Sequence, residues 1–168
     1  MTISEMYLPE FDMEMANTRK CLARIPADKF SFKPHPKSFD MGALAVHIAT
    51  MLDWGATTIE SDNFDYAPVG GEPYVPPVAK TNDELLAMFD SGSAKFRAAL
   101  ATAENDAMMA PWSLLAGGKT IFAMPRVAVL RGMIFNHIVH HRGQLSVYLR
   151  MCDIPVPAIY GPSADEAN

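Results

Sequence analysis

One stretch near the carboxyl end of the chain decides the fold and indicates a function. It reads Asn136-His137-Ile138-Val139-His140-His141-Arg142-Gly143-Gln144-Leu145. Apolar residues recur here with helical spacing, inside a longer pattern that predicts a final helix from about Arg126 to Met151. His137 and His141 are four residues apart, so a helix places them on one face with Cβ atoms about 5–6 Å apart. Two imidazoles at this spacing can chelate a transition metal.

Two other histidines bear on this site in different ways. His140 lies about 100° around the helix from His141, so we expect it at the surface or supporting a neighbouring ligand. His47 lies in the apolar stripe of an earlier helical segment, where a buried ring left without a partner would cost about 1–3 kcal/mol. It can be a third metal ligand or a hydrogen-bonded core residue, and the spacing of His137 and His141 can also arise by chance.

Three helical segments are predicted before the final one, and their starts carry capping signals. They run from about Ser4 to Ala23, Ser38 to Ile59 and Thr81 to Glu104. Ser38 is the predicted N-cap of the second, with Asp40 in its first turn. Thr81-Asn82-Asp83-Glu84 predicts a capping box for the third.

The segments between the helices are rich in proline and glycine. Residues 61–80, with Gly70-Gly71, predict a long crossover loop between the second and third helices. Two short stretches flank Gly117-Gly118 and can form either a hairpin or an irregular loop: Trp112-Ser113-Leu114-Leu115 and Thr120-Ile121-Phe122-Ala123. After Met151, residues 154–168 are expected to run extended. The prediction is therefore an all-α chain, a four-helix bundle with one domain over residues 1–168.

Bulk properties exclude several classes of protein. The chain has 168 residues and a net charge of −5, so no basic stripe is available to bind nucleic acid. It shows neither a signal-peptide pattern at its start nor an apolar run long enough to span a membrane. Its two cysteines, Cys21 and Cys152, do not form a disulfide framework and are expected to be free thiols. These features predict a cytoplasmic protein, and pairing through exposed helix faces predicts a homodimer.

Three histidines from two helices would form an open metal site. If the second and fourth helices are neighbours, His47 joins His137 and His141, and a fourth position stays open for water or substrate, as in catalytic sites. The donor set suits a divalent transition metal, and the Irving–Williams order does not choose among zinc, nickel, iron and copper; we expect zinc or nickel, with iron or copper as alternatives. Met51, Trp54 and Tyr148 lie one or two turns from the ligands and can wall a pocket, although each also fits plain core packing.

The histidine-rich run has a close parallel in a known family. Residues 136–150, followed by Pro157, Tyr160-Gly161-Pro162 and Ser163, resemble the signature end of the DinB family, and the segment 39–49 resembles its second-helix motif. The resemblance implies a four-helix protein in which His47, His137 and His141 hold a divalent metal. Arg142-Gly143-Gln144 matches the family's arginine–glycine–glutamine run. One position departs: Thr50 stands where many members have an acidic residue.

The family also suggests what an open metal position would do. It includes damage-inducible proteins and metal-dependent transferases that use the thiols mycothiol or bacillithiol. The resemblance therefore implies transfer of a low-molecular-weight thiol to a small electrophile, or hydrolysis of a small substrate. The nucleophile would be a metal-bound thiolate or water, with no protein nucleophile required. The alternatives are a non-catalytic metal-binding or stress-response module and a bundle that holds no metal.

Overall fold

Four long helical stretches make up most of the chain. The computed structural model describes residues 1–167; Asn168, at the end of the predicted tail, lies outside the described residues. The helices are α1 (Ile3–Ala23), α2 (Met41–Glu60), α3 (Asn82–Thr102), the short α4 (Asn105–Met109), α5 (Arg126–Val129) and α6 (Asn136–Met151). A 3₁₀ turn occupies Ala27–Lys29, and a π-helical segment, Leu130–Phe135, joins α5 to α6.

The helix starts follow the capping chemistry of the sequence, with two differences. The N-cap of α2 is Asp40, whose Oδ1 accepts from the amide of Ala43 at 2.7 Å, and not Ser38 as predicted. Thr81 caps α3 by accepting from the amide of Glu84, but the Glu84 carboxylate accepts from Lys80 instead of returning to Thr81. The carboxylate therefore supports the residue before the cap, and the predicted box is only half formed.

The core lies where α1, α2, α3 and α6 pack around one another. α1 contacts α3 and α6, and α2 contacts the same two helices. Phe11, Phe96 and Phe135, from α1, α3 and the π segment, meet edge to face with ring centroids 5.0–6.1 Å apart. Gly55 of α2 lies so close to this cluster that a Cβ there would come within 2.4 Å of the Phe96 ring. The absence of a side chain at Gly55 therefore lets α2 and α3 approach each other closely.

A small sheet amends the all-α expectation. Its strands are β1 (Asn63–Asp65), β2 (Pro111–Ala116) and β3 (Lys119–Pro125), with β1 parallel and β3 antiparallel to the central β2. Gly117 and Gly118 turn between β2 and β3 with φ of 60° and 73°, the positive values that favour glycine. The hairpin reading of this region is therefore confirmed. The Asp65 carboxylate accepts from both glycine amides, at 3.1 and 2.7 Å, and fixes β1 to the turn.

The final helix is interrupted rather than uniform. In the π segment the amide of Asn136 donates to the carbonyl of Arg131, five residues back. A π turn contains one residue more than an α turn, so it rotates all that follows by about 100°. The direction in which α6 presents its side chains therefore depends on this segment.

A buried ion pair joins α1, α6 and the tail. Arg142 of α6 is 2% exposed, and its Nη1 lies 2.6 Å from the carboxylate of Glu14 on α1. Arg142 also donates to the Glu14 carbonyl and to Thr18 Oγ1. Tyr160 of the tail accepts from Arg142 and donates to the Glu14 carboxylate. This network fixes the otherwise non-helical tail against the helices.

The remaining expectations concern cysteines and the membrane. Cys21 is buried and Cys152 half-buried, and both are free, as predicted. Among the described residues, no helix has the length and apolarity needed to cross a membrane.

Candidate metal centre

Three imidazoles from α2 and α6 converge. The donor nitrogens of His47, His137 and His141 lie within 4.8 Å of one another. The Nε2 atoms of His47 and His137 are 3.4 Å apart. Two nitrogens bound to one tetrahedral zinc at about 2.0–2.1 Å would be about 3.3–3.4 Å apart. The pair therefore already has a spacing that one ion requires, and three neutral nitrogen donors suit a divalent transition metal.

Hydrogen bonds orient both rings of α6. Nδ1 of His137 lies 3.3 Å from the carbonyl oxygen of Met133, and Nδ1 of His141 lies 2.7 Å from Gln144 Oε1. A carbonyl oxygen can only accept, so in each contact Nδ1 must carry the proton. Nε2 then carries no proton, and its lone pair is free to bind a metal. A histidine that coordinates through Nε2 requires this tautomer.

His140 takes part through Gln144. Its Nε2 lies 3.1 Å from Gln144 Nε2, so the amide donates to His140 while its oxygen accepts from His141. His140 is exposed, as expected for a residue outside the ligand set. Gln144 therefore links the exposed histidine to the buried one. The sequence could have predicted these contacts, because Gln144 is three residues from His141 and four from His140, and side chains at these spacings are neighbours on a helix.

Burial keeps two of the rings neutral. The pKa of His47 is lowered to about 4, first by burial and then by the neighbouring His141 and His137. The pKa of His141 is lowered chiefly by burial, with the hydrogen bond to Gln144 acting in the opposite direction and His137 and His140 lowering it further. Both imidazoles are therefore uncharged at neutral pH and have a free lone pair to offer a cation.

A cavity of about 570 Å³ adjoins His47. Its walls come from the segment after α1, the first two turns of α2 and residues 76–79, which lie between α2 and α3. The sequence did not identify these walls, because loop residues converge only through tertiary packing.

The predicted pocket residues lie outside these cavity walls. Met51 is buried in the core, and Trp54 packs edge to face on Phe64 and Tyr74. Tyr148 donates to the carbonyl of Phe39, a wall residue, and so supports the cavity from behind. Contact of Met51, Trp54 or Tyr148 with a substrate stays a prediction.

Thr50 occupies the position where many members of the family that this chain resembles have an acidic residue. It is buried, and its hydroxyl donates to the carbonyl of His47 at 3.1 Å. Its side chain is therefore engaged with the helix backbone, and it offers no acidic group beside the histidines.

Comparison with known proteins places the chain in a family. The DinB family model matches residues 4–168. The chain belongs to the DinB family. It is 27% identical over 160 residues to the uncharacterized protein YrdA of Bacillus subtilis strain 168, covering 95% of this chain and 89% of that one.

Two solved structures resemble this DinB-family chain in fold. A DinB-like protein from Bacillus cereus ATCC 10987 superposes with a TM-score of 0.71 at 23% identity, covering 95% of this chain and 98% of that one. The DinB-like protein YjoA from Bacillus subtilis also gives 0.71, at 20% identity, with coverage of 92% and 96%. At these identities the similarity establishes the fold and leaves the chemistry to the residues of this chain.

Proposed function

We propose that this DinB-family protein is a metal-dependent enzyme that transfers a low-molecular-weight thiol to a small electrophile. The observation that carries the proposal is the convergence of His47, His137 and His141 from two helices. As part of it, we propose that residues 1–168 form one four-helix-bundle domain, in which a crossover between α2 and α3 lets α2 and α6 pack side by side.

The donor set determines what chemistry the site could supply. Zinc or nickel held by three neutral imidazoles, or iron or copper in their place, would keep its full charge and lower the pKa of a thiol bound beside it. In the transfer, sulfur forms a bond to the electrophilic carbon, the leaving group departs with the electron pair, and the thiol proton passes to solvent. The chain contributes the aligned nitrogens, which Gln144 and the Met133 carbonyl orient.

Thr50 favours thiol transfer over hydrolysis. Activation of water commonly uses a carboxylate or histidine that accepts the proton during attack. Thr50 places a hydroxyl, already bonded to the His47 carbonyl, where such a carboxylate would stand. A thiol, with a pKa far below that of water, needs no such partner.

Metal analysis of untagged protein tests the site. We expect about one equivalent of zinc or nickel in the wild type and loss of it in His47→Ala, His137→Ala and His141→Ala. His35→Ala is the matched control, because His35 is exposed in a loop and belongs to no cluster with these three. Stoichiometric metal in all three site variants would refute the assignment.

Turnover tests the reaction. We expect the zinc- or nickel-loaded protein to accelerate thioether formation between monochlorobimane and bacillithiol, mycothiol or cysteine, with release of chloride. His35→Ala should match the wild type, and the three site variants should lose the acceleration. Bound metal without acceleration by any thiol would instead support a non-catalytic metal-binding or stress-response module.

A further inference from the structure

The cavity beside His47 has walls of one chemical character. Its larger apolar members are two aromatic rings, two prolines and two valines: Phe30, Phe39, Val46, Pro76, Pro77 and Val78. The volume of about 570 Å³ lies within the range of about 300–1,000 Å³ that is typical of small-molecule sites. A ligand there would exchange water for apolar surface, a gain of about 25 cal/mol for each Å² buried.

The polar groups of the wall are few, and they do not favour an anion. No lysine or arginine occurs among the described residues that line the cavity. Asp40 is the acidic residue among those that line the cavity, and its Oδ1 accepts a hydrogen bond from the amide of Ala43 as the N-cap of α2. An anionic group held in the part of the cavity away from the histidines would therefore be removed from water without a cationic side chain beside it, and it would face the Asp40 carboxylate.

The walls are held in place by backbone hydrogen bonds. The amides of Met41 and Gly42 donate to the carbonyls of Phe32 and Phe30, both at 2.8 Å, and tie the segment after α1 to the start of α2. At Gly42 a Cβ would lie 2.8 Å from the Phe30 ring, so only glycine permits this approach. The aromatic wall is thus formed before a ligand arrives, which lowers the entropy lost on binding.

From this cavity we infer the substrate class: the electrophile is a neutral molecule with an aromatic or branched apolar group, which binds here with its reactive atom directed toward His47. The inference rests on the proposed metal centre, because His47 is both a wall of the cavity and one of the three converging imidazoles. Specificity then comes from shape and apolar burial, and a carboxylate on the apolar group is selected against.

Two isosteric probes test the inference in full-length protein. 4-Phenylbutanamide and 4-phenylbutanoate share a ring and chain but differ in charge, and binding is followed by ¹⁵N–¹H NMR titration. In protein treated with a chelator, we expect the amide to bind at least tenfold more tightly and to shift the signals of residues 30–31, 39–47 and 78–79. Equal affinities, or shifts elsewhere on the molecule, would overturn the inference.

A blocking variant provides the second arm. Ala43 is an exposed wall residue in the first turn of α2, so Ala43→Trp fills part of the cavity from outside the core. We expect it to weaken amide binding at least tenfold. Ala94→Trp, at an exposed alanine of α3 that does not line the cavity, should bind as the wild type does. Equal binding by the two tryptophan variants would contradict the inference.

Zinc stoichiometry, measured by chelator competition on the same samples, separates the two proposals. Zinc binding with no preference for the amide would remove the substrate class and leave the metal centre intact. Amide binding without zinc would remove the metal centre, and with it the role of the cavity as a substrate site.

Discussion

The ion pair between Glu14 and Arg142 provides the most demanding test of the packing. Glu14→Gln keeps the shape of the side chain and removes its charge, leaving the guanidinium of Arg142 buried at 2% exposure without a carboxylate. Removing one partner of a buried pair costs about 3–5 kcal/mol. Arg142 retains its bonds to the Glu14 carbonyl and Thr18, so we expect a loss near the lower limit, about 3 kcal/mol.

Thermal and urea denaturation measure this loss. For a chain of this length each kcal/mol lowers the Tm by about 2–4 °C, so Glu14→Gln should melt about 6–12 °C below the wild type. Asp12→Asn is the matched control, because it breaks the Arg97–Asp12 pair, which is of similar length (2.7 Å) but has both side chains about half exposed. An exposed pair contributes about 0–1 kcal/mol, so the control should melt within a few degrees of the wild type.

A double substitution then separates charge from packing. Glu14→Leu with Arg142→Met removes both charges and keeps apolar volume, and such replacements of buried pairs are often neutral or stabilising. We expect this protein to be more stable than Glu14→Gln. If Glu14→Gln lies within about 0.5 kcal/mol of the wild type, or the double variant is less stable than the single one, the uncompensated buried charge is not the cause.

Three further substitutions or reactions have defined outcomes. Gly55→Ala should destabilise the fold by about 1–3 kcal/mol in urea denaturation, because its Cβ would overlap the Phe96 ring, and a neutral result would contradict that packing. Gly143→Ala, a helical position with no atom within 4 Å of the added Cβ, should instead stabilise by up to about 1 kcal/mol and leave metal content unchanged. Burial raises the pKa of Cys21 from 9.0 to about 11, so at pH 8 its thiolate is about a hundredfold scarcer than that of an ordinary thiol. With Ellman's reagent, native protein should therefore react quickly at Cys152 alone and at both thiols in denaturant, and equal native rates would refute the burial of Cys21.

Local signals in the sequence accounted for the long helices but not for their fine structure. Apolar periodicity placed α1, α2 and α3 to within a few residues. It did not reveal the π segment, because one extra residue in a turn leaves the apolar spacing on either side nearly unchanged. Ser38 and Asp40 are both good caps, and the contacts of the segment 30–32 with α2, which the sequence does not show, start the helix at Met41.

The grouping of the three histidines was predictable in part from the sequence, whereas the walls of the adjoining cavity were not. His137 and His141 share a face by spacing alone, whereas His47 could join them only if α2 and α6 were neighbours, a fact of tertiary packing. The parallel pairing of β1 with β2 links residues about fifty positions apart and left no local trace. The same is true of Pro76, Pro77 and Val78, which line the cavity from the segment between α2 and α3.

The π segment rotates the side chains of α6 about the helix axis relative to those of α5. α5 contacts the hairpin strands, the short α4 and α2, whereas α6 contacts α1 and α2. Deleting one residue at Gly132 would restore ordinary winding and twist the downstream half by roughly a quarter turn, carrying His137 and His141 away from His47. The π segment thus sets the direction in which α6 presents His137 and His141. We therefore expect an insertion or deletion in this segment to disturb the site far more than a substitution there.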